Sequence, residues 1–455
     1  MPLLSRRSFL AASAALAAAQ GEVFGQVPAS GDVDVIIIGA GAAGIAAARR
    51  VAAARQRFAL LEAAPRAGGR CVTDTTIFGV PFDQGAHWIH RMGDNPLAML
   101  GGSGLDLYPA PRAQGLRISP RAAREAEMEQ YLSALVRSSR AIMEAGRGKA
   151  DMAAACALPR DLADWRATVE FALGPYSTGK ELSAMSALDF ARAGEREGDG
   201  FCRQGYGALL AKLAAGIPVQ LATPVTRFDW GGGLEAQTPK GRIRGRAAIV
   251  TVSSDVLAAG RIEFNPGLPK RQLDAAAKLS LGQYEHIALE LPGNPLGLER
   301  DDLVFEKSTG PRTAALLANI GGTSLCTIDV AGPHARALAR EGEAAMRAFA
   351  LEWLASAFGN DVKNRVKRTA VTRWGEDPLV RGAFSAASPG NADARRVLME
   401  PLRERLFFAG EAVHETLWGT VGGAWESGMR AAEAALRRLG ALRDGNDGKL
   451  PRRRN

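Results

Sequence analysis

The chain is poor in the residues that cross-link proteins or bind metals. In 455 residues it has four cysteines, Cys71, Cys156, Cys202 and Cys326, and only five histidines. No CxxC occurs and no two cysteines stand at metal-ligand spacing, so a metal cluster is not expected and an apolar core must hold the fold. Beyond the N-terminus, no stretch reaches membrane-spanning length without charges, so no stable membrane anchor is expected. A broad basic surface is lacking too. The net charge is +9, but the tail from Arg437 to Asn455 carries +5 and Arg6 with Arg7 another +2, which leaves about +2 for the body. That balance argues against a nucleic-acid partner, and residues 441–455 read as a solvated basic tail.

What is present starts at the N-terminus. Ser5-Arg6-Arg7-Ser8-Phe9-Leu10 precedes an alanine-rich apolar run ending in Ala17-Ala18-Ala19. This is the pattern of a twin-arginine export signal over residues 1–19, with cleavage as late as about residue 25. It predicts a periplasmic or secreted protein exported already folded.

Next comes Val33-Asp34-Val35-Ile36-Ile37-Ile38, an apolar run that reads as a strand buried on both faces of a parallel sheet. Gly39, Gly41 and Gly44 follow in GxGxxG spacing, then an alanine-rich helix to about Arg55. Gly39 serves the tight turn, Gly41 the approach of a pyrophosphate, and Gly44 the packing of helix on strand. N–H groups at the helix start would face phosphates. A second strand, Phe58–Leu61, ends in Glu62, 23 positions after Gly39, where a ribose-binding carboxylate is expected. Gly68-Gly69-Arg70 then supplies a close-approach loop and a cation for a second phosphate contact. Such a double clamp suits a permanently held flavin dinucleotide better than a nicotinamide.

At this point the chain resembles the flavin-containing amine oxidase family, which includes monoamine, polyamine and L-amino acid oxidases. Four blocks carry the resemblance: residues 36–70, FDQGAHWIH at 82–90, Gly205-Tyr206-Gly207 through 217–228, and RLFFAGEAVHETLWGTVGGAWESG at 405–428. The motif GAHWIH followed by Asn95-Pro96 is closest to the polyamine oxidases. The resemblance implies an α/β chain. Its Rossmann-type, glutathione-reductase-like FAD-binding domain comes from 32–95, 202–275 and 385–440. It is interleaved with a mixed α+β substrate domain from 96–201 and 276–384. Residues 120–190 and 335–360 have helical spacing, while 219–221, 225–228 and 247–250 read as strands.

The resemblance also distributes roles. Ala43 and Glu62 would meet the ADP half, Arg70 the phosphates, Val225 the adenine through its backbone, and Glu411 the ribityl or pyrophosphate region. Thr420-Val421 would lie at the flavin pyrimidine edge, at the positive end of a helix. Gly85 and Ala86 would run beside the flavin ring. The absence of cysteine after Cys326 implies non-covalent FAD. The implied reaction is hydride transfer from the α-carbon of a neutral small-molecule amine to flavin N5. Imine hydrolysis and reoxidation by O2 to hydrogen peroxide follow.

Trp418 is the expected aromatic wall of the site, with Trp374, Phe384 and Trp425 from neighbouring blocks; core packing is its alternative. Where many members carry a lysine, Leu281 to Leu289 places His286, expected mostly neutral near pH 7, which puts charge assistance to oxygen in doubt and leaves an electron carrier as alternative acceptor. In DQGAHWIH, His90 is the candidate substrate contact and His87 a cofactor-side residue. Glu195, Glu197 and Asp199 form an acidic run that would hold distant ammonium groups or simply face solvent. An L-amino acid oxidase, a desaturase or porphyrinogen oxidase, and a flavin-binding redox partner without turnover remain alternatives.

Overall fold

A computed structural model describes residues 31–111, 113–148, 150–193 and 198–442. The export signal and the tail from 443 onward, like Glu195 and Glu197, lie outside the described residues.

The first sheet is built around Gly31–Ile38. Val35, Ile36, Ile37 and Ile38 are all buried, as a strand covered on both faces requires. It pairs in parallel with Phe58–Leu61 on one side and with Gly241–Val250 on the other. The latter strand is ten residues long and has two neighbours on its far edge. Its first half takes Leu234–Thr238 in an antiparallel hairpin, and Ala248–Val250 take Leu406–Phe408 in parallel. The hairpin continues through Arg227–Asp229 to Glu263–Asn265. Thus the expected strands at 58–61 and 247–250 form. Residues 219–221 make only a bridge at Gln220, and the expected strand at 225–228 begins at Arg227.

Helix Ala42–Ala53 covers this sheet and crosses helix Val421–Arg438 very closely. A Cβ on Gly428 would lie 2.1 Å from the Ala43 carbonyl oxygen, so the crossing needs glycine.

The second sheet is mixed. Its central strands Tyr284–Glu290, Leu325–Ala331, Ala315–Leu317 and Leu303–Glu306 are antiparallel, with Thr369–Val371 at one edge and, on the other side, Gln114–Ile118 joined in parallel and followed by the short edge strand Arg121–Ala122. Helices Gly332–Glu341 and Glu343–Phe358 bury Leu338, Met346, Phe349, Trp353 and Leu354 against it. On its other side lie Glu125–Ala145, Arg166–Phe171 and Ala187–Arg192. The whole is an α/β layer joined to a mixed α+β layer. Among the described residues no helix is long and apolar enough to cross a membrane.

Candidate functional site at the junction of the two sheets

The glycine-rich turn is formed as its sequence requires. Gly39 adopts φ +102°, and a Cβ on Gly44 would sit 1.8 Å from the Gly39 carbonyl oxygen. Gly41 is different. Its φ is −77°, and the only protein atom near an added Cβ is the Gly69 Cα at 4.0 Å. Neither backbone strain nor packing demands glycine there, so the space it keeps open belongs to something outside the chain. The Gly68-Gly69-Arg70 loop lies directly against it, with φ +103° and +58° at its glycines.

Glu62 accepts hydrogen bonds from the Ala40 N–H (2.7 Å) and the Ala64 N–H (2.8 Å), which fixes its carboxylate beside the turn. The Ala43 side chain is buried in the core, so only its backbone in the first helical turn faces the opening. The Val225 backbone makes no hydrogen bond among the described residues, leaving its N–H and C=O available to an adenine edge. A phosphate-facing helix start, a ribose-height carboxylate and an open backbone edge fit a dinucleotide.

Arg70 and Glu411 meet each other. The Arg70 guanidinium donates to Glu411 (3.1 Å) and to the Ala383 carbonyl. The Glu411 carboxylate also accepts from the Ser385 N–H and hydroxyl (2.7 Å) and from the Gly419 N–H (2.9 Å). Burial pushes its carboxyl up, but Arg70, Ser385 and Arg395 outweigh burial and hold it below the usual carboxylate range. Its oxygens are thus engaged by the protein. Within the protein it holds loops 383–385 and 419 in place. Thr420 caps helix Val421–Arg438 by accepting from the Gly423 N–H (2.9 Å), so the helix does start at Val421.

The DQGAHWIH stretch is the seam between the sheets. Asp83 accepts from Thr73, from the backbone of Tyr206 (3.1 Å) and from His87 Nδ1 (2.8 Å). Trp374 donates its indole N–H to the Gln84 carbonyl (2.6 Å), and Ala86 donates to the Arg70 carbonyl (3.0 Å). The protein itself also requires glycine at position 85: an added Cβ would lie 2.1 Å from the Arg70 carbonyl oxygen. The two histidines turn to different carboxylates. The His87 ring stacks on Phe201 at 4.5 Å, and its buried Nε2 has no partner among the described residues. His90 Nδ1 faces Asp199 at 3.0 Å, and both side chains are 28% exposed.

His286 reaches the same seam from strand Tyr284–Glu290. Its Nδ1 faces Asp329 at 2.7 Å and its Nε2 faces the Gly85 carbonyl at 3.0 Å. Burial pushes its pKa down, but the Asp329 charge, both hydrogen bonds and Glu285 outweigh that, and the net shift is upward. The sequence-based expectation of a mostly neutral ring took no account of Asp329. Tyr284, whose hydroxyl donates to Asp329 (2.9 Å), and Phe384, 6.0 Å from Tyr284, add aromatic surface.

Trp418 is not the expected wall. It is 2% exposed, packs with Met185 and Ala386, and carries the Arg395 guanidinium over its ring at 4.7 Å. Trp425 is likewise core, beside Ile45 and Tyr206. The residues that sequence reading overlooked are acids and an arginine: Asp83, Asp189, Asp329 and Arg395. Asp83 had a local signal, being an acid four positions before His87. Asp329 had none, because it becomes the neighbour of His286 only through strand register.

Comparison with known proteins decides the family. The description "flavin containing amine oxidoreductase" matches residues 42–436, most of the chain. This chain belongs to that family. Its members hold a flavin, and the cradle above fits a flavin dinucleotide. Among curated relatives, human "Lysine-specific histone demethylase 2" is 26% identical over 446 residues, covering 88% of this chain and 53% of that protein. The rice "Polyamine oxidase 4" is 26% identical and is covered to 89% on both sides. The chain spans about half the length of the demethylases it matches. Among solved structures, putrescine oxidase bound to putrescine (20% identity) and cyclohexylamine oxidase from Brevibacterium oxydans IH-35A (22%) both superpose with a TM-score of 0.75. In each case 90% of this chain and all of the other are covered. Its fold is the one these amine oxidases share.

Proposed function

We propose that the chain is an oxidase of small aliphatic amines. The single observation that carries this reading is the His90–Asp199 pair. It stands partly exposed, and His90 lies five residues beyond Gly85 on the stretch that meets the dinucleotide loop. When bound, FAD supplies the two-electron acceptor, taking hydride from the amine α-carbon and passing the electron pair to O2 to give hydrogen peroxide. The imine so formed hydrolyses in water to an aldehyde and ammonia or a smaller amine.

The chain's own contribution is to deliver a neutral amine. A carboxylate only accepts, so Asp199 keeps a proton on His90 Nδ1 and leaves the Nε2 lone pair of the neutral ring for the substrate. That atom accepts a proton from an arriving ammonium group, freeing the nitrogen lone pair that hydride loss requires. Trp88 and Tyr108 both lie against Phe201 next to this pair, and they give a carbon chain an apolar bed. The likeness to putrescine and cyclohexylamine oxidases supports an aliphatic substrate. The placement of His286 between Asp329 and the Gly85 carbonyl favours O2 over an electron carrier, because a ring held there as a cation would assist negative charge developing on oxygen.

Anaerobic titration of the purified holoprotein with putrescine, cyclohexylamine, an aromatic monoamine and an L-amino acid tests the reading. Putrescine or cyclohexylamine is expected to bleach the flavin absorbance, and peroxide should appear on admitting air. No bleaching by any of the four would overturn it.

We further propose export by the twin-arginine route, supported by Ser5-Arg6-Arg7-Ser8-Phe9-Leu10. Replacing Arg6 and Arg7 by lysine should leave flavin-loaded protein inside the cell. Unchanged export would refute the route.

A further inference from the structure

We propose that His286 is a fixed imidazolium, and that Asp329 is the positioning residue that keeps it charged and aimed at the Gly85 carbonyl.

The argument rests on donors and acceptors. A neutral imidazole carries one N–H and one bare nitrogen, so it suits one acceptor and one donor. His286 has acceptors on both sides, the Asp329 carboxylate at 2.7 Å and the Gly85 carbonyl oxygen at 3.0 Å. A carbonyl oxygen has no proton to give, so Nε2 must bear a hydrogen. The proton between Nδ1 and Asp329 then belongs to the ring or to the acid. Asp329 receives a second donor, the Tyr284 hydroxyl, at 2.9 Å on its other oxygen. Two donors favour the carboxylate over the acid, so the ring takes the proton. Tyr284 stays a donor, because burial and the Asp329 charge push its own ionisation far up.

Among the described residues, the groups that meet His286 bring no competing cation. From its own strand come Tyr284 and Glu285, from Leu325–Ala331 comes Asp329, from the 372–375 loop the neutral Thr372, and Tyr176 packs on Tyr284. Glu285 is itself satisfied by the backbone of Trp374 and Gly375 and by Thr372. Asp329 is therefore the counter-ion of His286.

His90 provides the internal contrast. One of its nitrogens faces an acid and the other has no partner among the described residues, so it can exchange a proton with a ligand. His286 cannot do so without losing a hydrogen bond. The two rings divide the work: one moves a proton, the other stores a charge. That charge sits one residue from the Arg70 carbonyl, against the dinucleotide loop. There it would stabilise negative charge and repel an amine still protonated.

The inference rests on the proposed amine oxidase reading for its use, but its test does not. Nitrogen-15 spectra of histidine-labelled apo- and holoprotein at about pH 8 would read the charge directly, since a free imidazole is neutral there. His286 is assigned by loss of its signals in His286→Gln. Both of its ring nitrogens should appear protonated, whereas a single protonated nitrogen at that pH overturns the proposal. In Asp329→Asn the ring should become neutral by the same pH. The rate of flavin reoxidation, level with pH in the wild type, should then fall as pH rises, and His286→Lys should be level again. A level profile in a folded Asp329→Asn would also overturn it. If Asp329→Asn does not fold, the wild-type spectra decide alone. Positive spectra with no turnover of any amine would leave this inference standing and remove the functional reading.

Discussion

At the scale of single residues, the glycines separate what the fold needs from what the cofactor needs. An alanine at position 44 would drive its methyl into the Gly39 carbonyl, so Gly44→Ala should fail to yield folded protein. Gly41→Ala meets no protein atom closer than 4.0 Å. Its apoprotein should keep its stability to within about 1 kcal/mol, the cost of a poorer helix cap, while flavin affinity drops sharply. Thermal melts of stripped protein set beside flavin titration check both halves. Equal loss of stability in the two variants would mean that Gly41 serves the fold. The histidines allow a similar separation. His90→Ala should lower kcat/KM for amines about 100-fold, the scale of a lost acid–base group, with flavin content unchanged. Asp199→Asn should show the same pattern more weakly. Loss of flavin from His90→Ala would place that ring on the cofactor side. These separations were partly visible in the sequence, because GxGxxG spacing and the isolated histidine pair are local signals. The contrast between Gly41 and Gly44 was visible too, as their expected roles already differed. The charge of His286 was not, since it depends on an acid 43 positions away that only the ladder brings opposite.

At the scale of elements, the site is held by a clamp that no motif announces. Arg395, near the start of helix Ala394–Met399, makes a two-pronged ion pair with Asp189 of helix Ala187–Arg192 at 2.7 and 2.8 Å. Both side chains are almost fully buried, at 1% and 0% exposure. The guanidinium also donates to the Ser385 hydroxyl and the Ala412 carbonyl, the neighbours of Glu411. Arg395→Ala would leave Asp189 buried without its ion-pair partner, held among the described residues only by the Ala387 N–H, which costs about 3–5 kcal/mol. It would also release the Ser385–Glu411–Gly419 set. The expected outcome in chemical denaturation is a lower midpoint, with faster flavin loss. A variant of wild-type stability would show that water or another group replaces the guanidinium. The strands and helices themselves were legible where the pattern was strong, as at 31–38 and 58–61. The clamp was not, because its two partners lie 206 residues apart and neither belongs to a periodic or glycine-marked segment.

At the scale of the whole molecule, the sheets have separate cores, one under the parallel strands and one between the second sheet and helices Gly332–Phe358. Near the site they are joined by polar contacts, His286 to Gly85, Trp374 to Gln84 and Arg395 to Asp189, and by small apolar patches such as Phe82 on Ala288 and Trp418 on Met185. The dinucleotide cradle opens beside the first two of these contacts. A ligand that binds there binds the assembled form and not the unfolded chain. Its stabilisation therefore grows with the logarithm of its free concentration, reaching about 2.7 kcal/mol at a hundred times its dissociation constant. Stripped protein should melt at a lower temperature than holoprotein, and added FAD should raise the midpoint steadily with concentration. Riboflavin, which lacks the phosphates and the adenosine, should raise it far less, because Gly41, Glu62 and Val225 would have nothing to hold. Equal stabilisation by riboflavin would mean that the ring alone, and not the dinucleotide, ties the two sheets together.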